Sequence, residues 1–208
     1  MGLIVTTPPA VEPVTLTEAK DWARIDIATD DTLVTALIKA SRQGVETFLR
    51  RTLITTTYTL TLDSFPGSAG NRLSGFTGGV GEILLPAPHL QSVTTLKYLD
   101  SLGVEQTLTP VTDYTVDTSS TFVARIVPAP DTDWPDTLNS INTVIIEYIA
   151  GYGLAVDVIE EAKTVIKMRV DNLYEHRSEM EEITTNLNET FKNMLWSQRA
   201  FQFDVETQ

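Results

Sequence analysis

At Leu53 the spacing of apolar residues changes, and that change limits what this chain can fold into. Before it, Leu33, Ala36, Leu37, Ala40, Gly44 and Phe48 follow one another at helical spacing, and Val34, Ile38, Val45 and Leu49 widen the stripe. After it, in ITTTYTLTL, Ile54, Tyr58, Leu60 and Leu62 face one way while Thr55, Thr57, Thr59 and Thr61 face the other. Short strands then follow at Glu82–Leu85, Val93–Leu99, Val104–Leu108, Tyr114–Asp117, Phe122–Val127 and Thr143–Ile149. Strands this short and this closely spaced predict an antiparallel sandwich or small barrel. TVIIEYI at 143–149 is apolar on both faces, as a central strand is, and Gly151 and Gly153 end it.

Helices bracket this block. Pro8, Pro9 and Pro13 make residues 1–14 an extended arm. Thr15 with Glu18 spells a capping box for a short helix from Leu16 to about Arg24. Asp30 and Asp31 open a longer one that closes at Arg50-Arg51, a charge order that suits the helix dipole. Gly44 inside it costs about 1 kcal/mol against Ala, which points to close packing by another helix there. Downstream, Asp157 is the expected cap of a helix whose buried face carries Ile159, Ala162, Ile166, Val170, Leu173 and Tyr174, ending near His176. Leu187–Gln198 reads as a further amphipathic helix, and Phe201, Phe203 and Val205 alternate in an extended tail. The expected fold class is therefore α+β: a helical bundle from the N- and C-terminal segments (15–52 and 154–198), an inserted antiparallel β-sandwich or small barrel (53–153), and an extended tail at 199–208.

Charge excludes one class of function. The net charge is -13, with 5 positive and 7 negative residues over 1–50, 4 and 10 over 51–153, and 6 and 11 over 154–208. No segment is basic, whereas gripping DNA requires clustered Lys and Arg on phosphates. No apolar run reaches the ~18 residues of a membrane span, and MGLIVTTPPAVEP lacks the parts of a signal peptide. With no cysteine there is neither a disulfide nor a thiolate metal site.

The usual catalytic groups do not assemble into a motif. His89 lies in a proline-flanked loop and His176 at a helix end, neither with a nucleophile or ligand at a motif spacing. Gly75–Gly81 lacks the Lys-Ser/Thr close of a phosphate loop and leads into a strand, so it reads as a loop tip. Asp30/Asp31 and Glu160/Glu161 are helix starts, and Asp131, Asp133 and Asp136 do not have the spacing of a calcium loop. The expectation is a protein with no catalytic residue, no metal and no cofactor. Trp134 is expected to fold onto the β block; Trp196, on a short late helix, reads as core or as a docking anchor.

The order of certain segments is similar to that of a known family. VEPVTLTEAK, DDTLVTALIKASRQGVETFLRRTLITTTYTLTLDSFP, LPAPHLQSVTTLKYLDSLGVEQTL, then DYTVD, RIVPAP, DWP, VIIEYIAGYG and LYEHR resemble the phage head–tail connectors, the gp6-like adaptors, in their longer form with a β insertion. FKNMLWSQR is similar to the family's closing amphipathic segment, while SEMEEITTNLNET diverges. The resemblance implies a non-enzymatic virion protein, made in the host bacterial cytoplasm and placed in the neck. It implies a ring, typically dodecameric, beneath the portal protein, extending the DNA channel and offering a platform to the stopper or tail. Double-stranded DNA would pass through during packaging and ejection without tight binding. The alternatives are another neck or tail-completion protein, or a DNA-packaging accessory factor. On this reading Phe191, Leu195, Trp196, Phe201, Phe203 and Val205 dock the subunit on the portal, and lumenal acidic residues, which the sequence does not single out, let DNA slide.

Overall fold

A computed structural model describes residues 2–67, 81–119, 122–176 and 189–200. They form two compact units: Pro9–Ile54 with Tyr152–Ala200, and Thr55–Gly151 with the N-terminal residues up to Pro8.

The first unit is helical, with α1 (Leu16–Ala23), α2 (Asp31–Leu49), α3 (Glu160–Glu175) and α4 (Glu189–Leu195). The capping box of α1 is present: Glu18 donates its amide to the Thr15 hydroxyl at 3.2 Å, and the Glu18 carboxylate accepts the Thr15 amide at 2.8 Å. The Thr15 amide, together with the Thr15 hydroxyl that donates to the same carboxylate at 2.7 Å, holds the Glu18 carboxyl below its ordinary range. Val34, Ile38, Val45 and Leu49 of α2 pack with Ala162, Val165, Ile166 and Val170 of α3 in one core, joined by Leu195 of α4.

Two local expectations are corrected here. The buried face of α2 consists of Val34, Ile38, Ser41, Arg42, Val45 and Leu49, the side read as secondary, while Leu33 is exposed. The polar pair Ser41-Arg42 interrupts the apolar repeat and hid the true face. Asp157 does not cap α3. Its carboxylate accepts the Leu154 amide at 2.9 Å in the preceding 3-10 turn, and α3 begins at Glu160 after extended Val158 and Ile159.

Among the described residues, the regular structure of the second unit is all β: β1 (Gly2–Thr7), β2 (Thr56–Leu62), β3 (Ile83–Leu85), β4 (Leu90–Leu99), β5 (Glu105–Leu108), β6 (Tyr114–Asp117), β7 (Ala124–Pro128) and β8 (Val144–Ala150). They make a five-stranded sheet in the order β1-β2-β8-β4-β5 and a three-stranded sheet in the order β3-β7-β6. Every strand pairing is antiparallel, and neither sheet closes into a barrel. Leu60, Leu62, Leu96, Val144, Ile146 and Tyr148 from the larger sheet share one core with Ile83, Leu85, Tyr114 and Ile126 from the smaller. The middle strand, β8, is flanked by β2 and β4, and Val144, Ile146, Tyr148 and Ala150 are all buried along one of its faces. Trp134 closes the unit's core. Its ring stacks on Phe65 at 4.7 Å and 2°, and its indole N–H donates to the Gly81 carbonyl at 2.6 Å.

The arm read as merely extended is extended for a reason that its prolines do not give. GLIVTT, rich in β-branched residues, pairs with β2 from Gly2↔Thr61 to Thr7↔Thr57.

Candidate assembly surfaces

Three features set what this chain can present to a partner: the closing helix, the charge arrangement and the sheet edges.

In the closing segment, Phe191 and Met194 pack half-buried against the helical core and Leu195 is completely buried in it. Trp196 begins a 3-10 turn and is 54% exposed, a large fraction for an indole. It lies 6.5 Å from Phe48, and the Arg199 guanidinium sits 5.6 Å from the Trp196 ring and 5.4 Å from Phe48. Arg199 thus holds two aromatic rings by cation–π attraction. One residue on, the Ala200 amide donates to the Leu49 carbonyl at 2.9 Å, satisfying one of the orphan carbonyls at the end of α2. Ala200 is thereby tied to the end of α2, close in sequence to an exposed Trp. Among the anchors named from sequence, Leu195 is in the unit's own core, Phe191 is partly committed to it, and Trp196 is at the surface. Phe201, Phe203 and Val205 lie outside the described residues.

The most closely held charges also belong to the helical unit. Arg42, on the buried face of α2, donates its Nε to Glu12 at 2.6 Å and an Nη to Glu46 at 2.5 Å. The other Glu46 oxygen accepts the Leu53 amide at 2.9 Å. One guanidinium thereby ties the segment before α1, the body of α2 and the chain leaving α2. Burial pushes the Glu46 carboxyl up, against the pull of Arg42 and the Leu53 amide. Sequence reading missed this constellation because a lone Arg in a helix defaults to the surface; the signal was Glu46 four residues on.

Asp131, Asp133 and Asp136 are exposed around Trp134. The described residues contain no group of three His, Cys, Asp or Glu placed to hold a metal ion. His176 Nδ1 lies 3.0 Å from the Asn172 carbonyl, and the His89 carbonyl accepts the Gly151 amide, both fold-level contacts. No described helix is long and apolar enough to cross a membrane.

On the β unit, the turn between β4 and β5 is braced by Asp100 and apolar at its tip. Asp100 Oδ1 accepts the amides of Leu102 and Val104, each at 3.0 Å, and Oδ2 accepts Gln106 Nε2 at 2.9 Å. Gly103 takes the positive φ that the turn requires. Leu102 is 86% exposed at the tip. The outer edges of the larger sheet are β1 and β5. On β1, Leu3, Ile4 and Val5 are all exposed.

Residues 13–87, which include α1, α2, β2 and β3, match the model of the phage gp6-like head-tail connector protein family. No curated protein matches the chain. Among solved structures, a chain from the neck of an empty gene transfer agent particle, computed with C6 symmetry, is 17% identical with a TM-score of 0.75. A chain from the virion of a native gene transfer agent particle is 17% identical with a TM-score of 0.73. A third, from the neck of a native particle computed with C12 symmetry, is 16% identical with a TM-score of 0.70. Each match covers 97% of this chain and 96% of the other. The resemblance to the connector family read from the segments is thus met by a family match over residues 13–87, and the fold, β unit included, is that of chains found in such particles.

Proposed function

We propose that this chain is a structural subunit of the neck of a tailed-phage-like particle, a head–tail connector that works by shape, charge and assembly and not by catalysis. The observation that carries this reading is the pairing of the family match over 13–87 with a fold shared across 97% of the chain with neck proteins. The C6 and C12 symmetries belong to those other particles; they support a ring, and we take twelve copies around the DNA channel as the assembly. Its partners are other copies of itself, the portal above and the stopper or tail-completion protein below. A net charge of -13 per copy gives the ring a strongly anionic character, which repels phosphates and lets double-stranded DNA pass during packaging and ejection without being gripped.

Portal docking is assigned to the exposed Trp196 and to the following Phe201, Phe203 and Val205, with Phe191 and Leu195 holding the base of that segment on its own subunit. Deleting the gene from a particle-producing strain tests the function. Filled heads without tails, restored by the gene in trans, are the expected result. Normal tailed particles lacking this chain overturn it. A salt-dependent shift of free duplex DNA by the purified protein would instead favour a packaging accessory factor.

A further inference from the structure

We infer that copies of this chain join edge to edge, β1 of one subunit against β5 of the next, so that the five-stranded sheet continues from subunit to subunit; this rests on the neck reading above. The argument starts from an unprotected edge. Natural sheets blunt their outer strands with charge, proline or a bulge facing solvent, because an open row of N–H and C=O groups recruits another strand. Over Gly2–Val5 β1 has none of these: the four residues are uncharged and pair regularly with β2, and the register shifts only beyond them, between Val5 and Thr7, ahead of Pro8. Among the described residues β2 is its one strand partner.

The face of β1 is open as well. Leu3 lies opposite Leu60 and Val5 opposite Tyr58, so both point to the side where Leu60 is fully buried. Leu3 is nevertheless 41% and Val5 53% exposed. Among the described residues, this edge of the sheet thus keeps apolar side chains exposed on its core-facing side.

Charge selects the occupant. Each copy carries -13, so copies approach most cheaply where neither brings a carboxylate. β1 is six residues without a charge. At the opposite edge of the same sheet, Glu105 is the single charge of β5, and Lys97 already pairs with it at 2.9 Å. Glu105, Gln106 and Thr107 are exposed there. A β1–β1 contact would be two-fold and would stop at a dimer, whereas β1 on β5 is head-to-tail, the kind of contact that a ring requires.

The chain has no cysteine, so introduced thiols report cleanly. Particles are made with Val5→Cys, with Thr107→Cys and with both, then treated with a short bis-maleimide that tolerates a small register shift. Absence of the wild-type chain from purified necks would overturn the neck reading itself. With the chain present, the double variant is expected to give a ladder of covalent multimers and each single variant only monomer. Dimers from Val5→Cys alone, or only monomer from the double variant in assembled necks, overturn the edge-to-edge joint. Hydrogen exchange on unmodified protein is a second readout independent of the variants: amides of residues 2–7 and 105–108 should exchange at least about tenfold more slowly in necks than in the free chain, and unchanged exchange overturns the joint.

Discussion

Arg42 is 5% exposed in the middle of a helix, and its guanidinium spans two carboxylates. Removing one member of such a buried group leaves the others charged and unpaired, so Arg42→Ala is expected to cost about 3–5 kcal/mol in denaturant unfolding; a loss within the range of a surface substitution would show the network to be slack. Gly44, two residues nearer the C-terminus, answers to a neighbour from another helix. A Cβ there would meet the Arg169 guanidinium at 3.0 Å, which is the close packing its place in the sequence led one to expect. Asp117 sets a pH dependence. The Ser119 hydroxyl and amide, with Arg125, lower its carboxyl from 3.8 to about 2. The folded state therefore binds this proton less tightly than the unfolded one, and the group adds stability above its ordinary pKa that is lost as pH falls from 3.8 toward 2. Asp117→Asn should flatten the acid limb of the stability curve in that window, and an unchanged limb would mean that the contacts are lost in solution.

At the scale of elements, the closing segment divides sharply between Leu195 and Trp196. Leu195→Ala opens a cavity in the helical core and should cost about 2–5 kcal/mol. Trp196→Ala should cost far less in thermal stability yet weaken portal binding in a pull-down, and truncation after Ala200 should do the same. Full portal binding by both variants would remove this segment from the interface. The sequence showed this helix and its anchors but not which of them the core claims, because a seven-residue amphipathic helix has no partner of its own in sequence. β6, at Tyr114–Asp117, was legible to the residue, since turn residues bound it on both sides. β7 was less so: it starts at Ala124, not at Phe122, and runs into Pro128. The two-sheet division and the pairing of GLIVTT with β2 were not legible, because they depend on which strands pair across intervening elements, as β1 with β2 and β3 with β7 do. The Arg42 site was hidden by the same polar interruption that misdirected the α2 stripe.

For the whole molecule, the two units supply different surfaces for the two contacts proposed above. The helical unit offers the exposed Trp196; the β unit offers two sheet edges and a hydrogen-bonded turn with Leu102 exposed at its tip. On the proposed reading this work needs no catalytic cluster, and the excess of carboxylates would serve a channel that DNA traverses freely. An acidic ring also assembles against its own repulsion, so association between purified copies should strengthen as salt is raised from low ionic strength, the reverse of a DNA-gripping protein; sedimentation velocity across a salt series reads this directly, and assembly that weakens with salt would contradict it. The most direct test of the central claim is electron cryomicroscopy of the particle's neck with this chain in place. The account predicts a ring of copies of this α+β fold between portal and tail, encircling the DNA path. Necks whose density at that position has another fold, or particles in which this chain lies elsewhere, would contradict it.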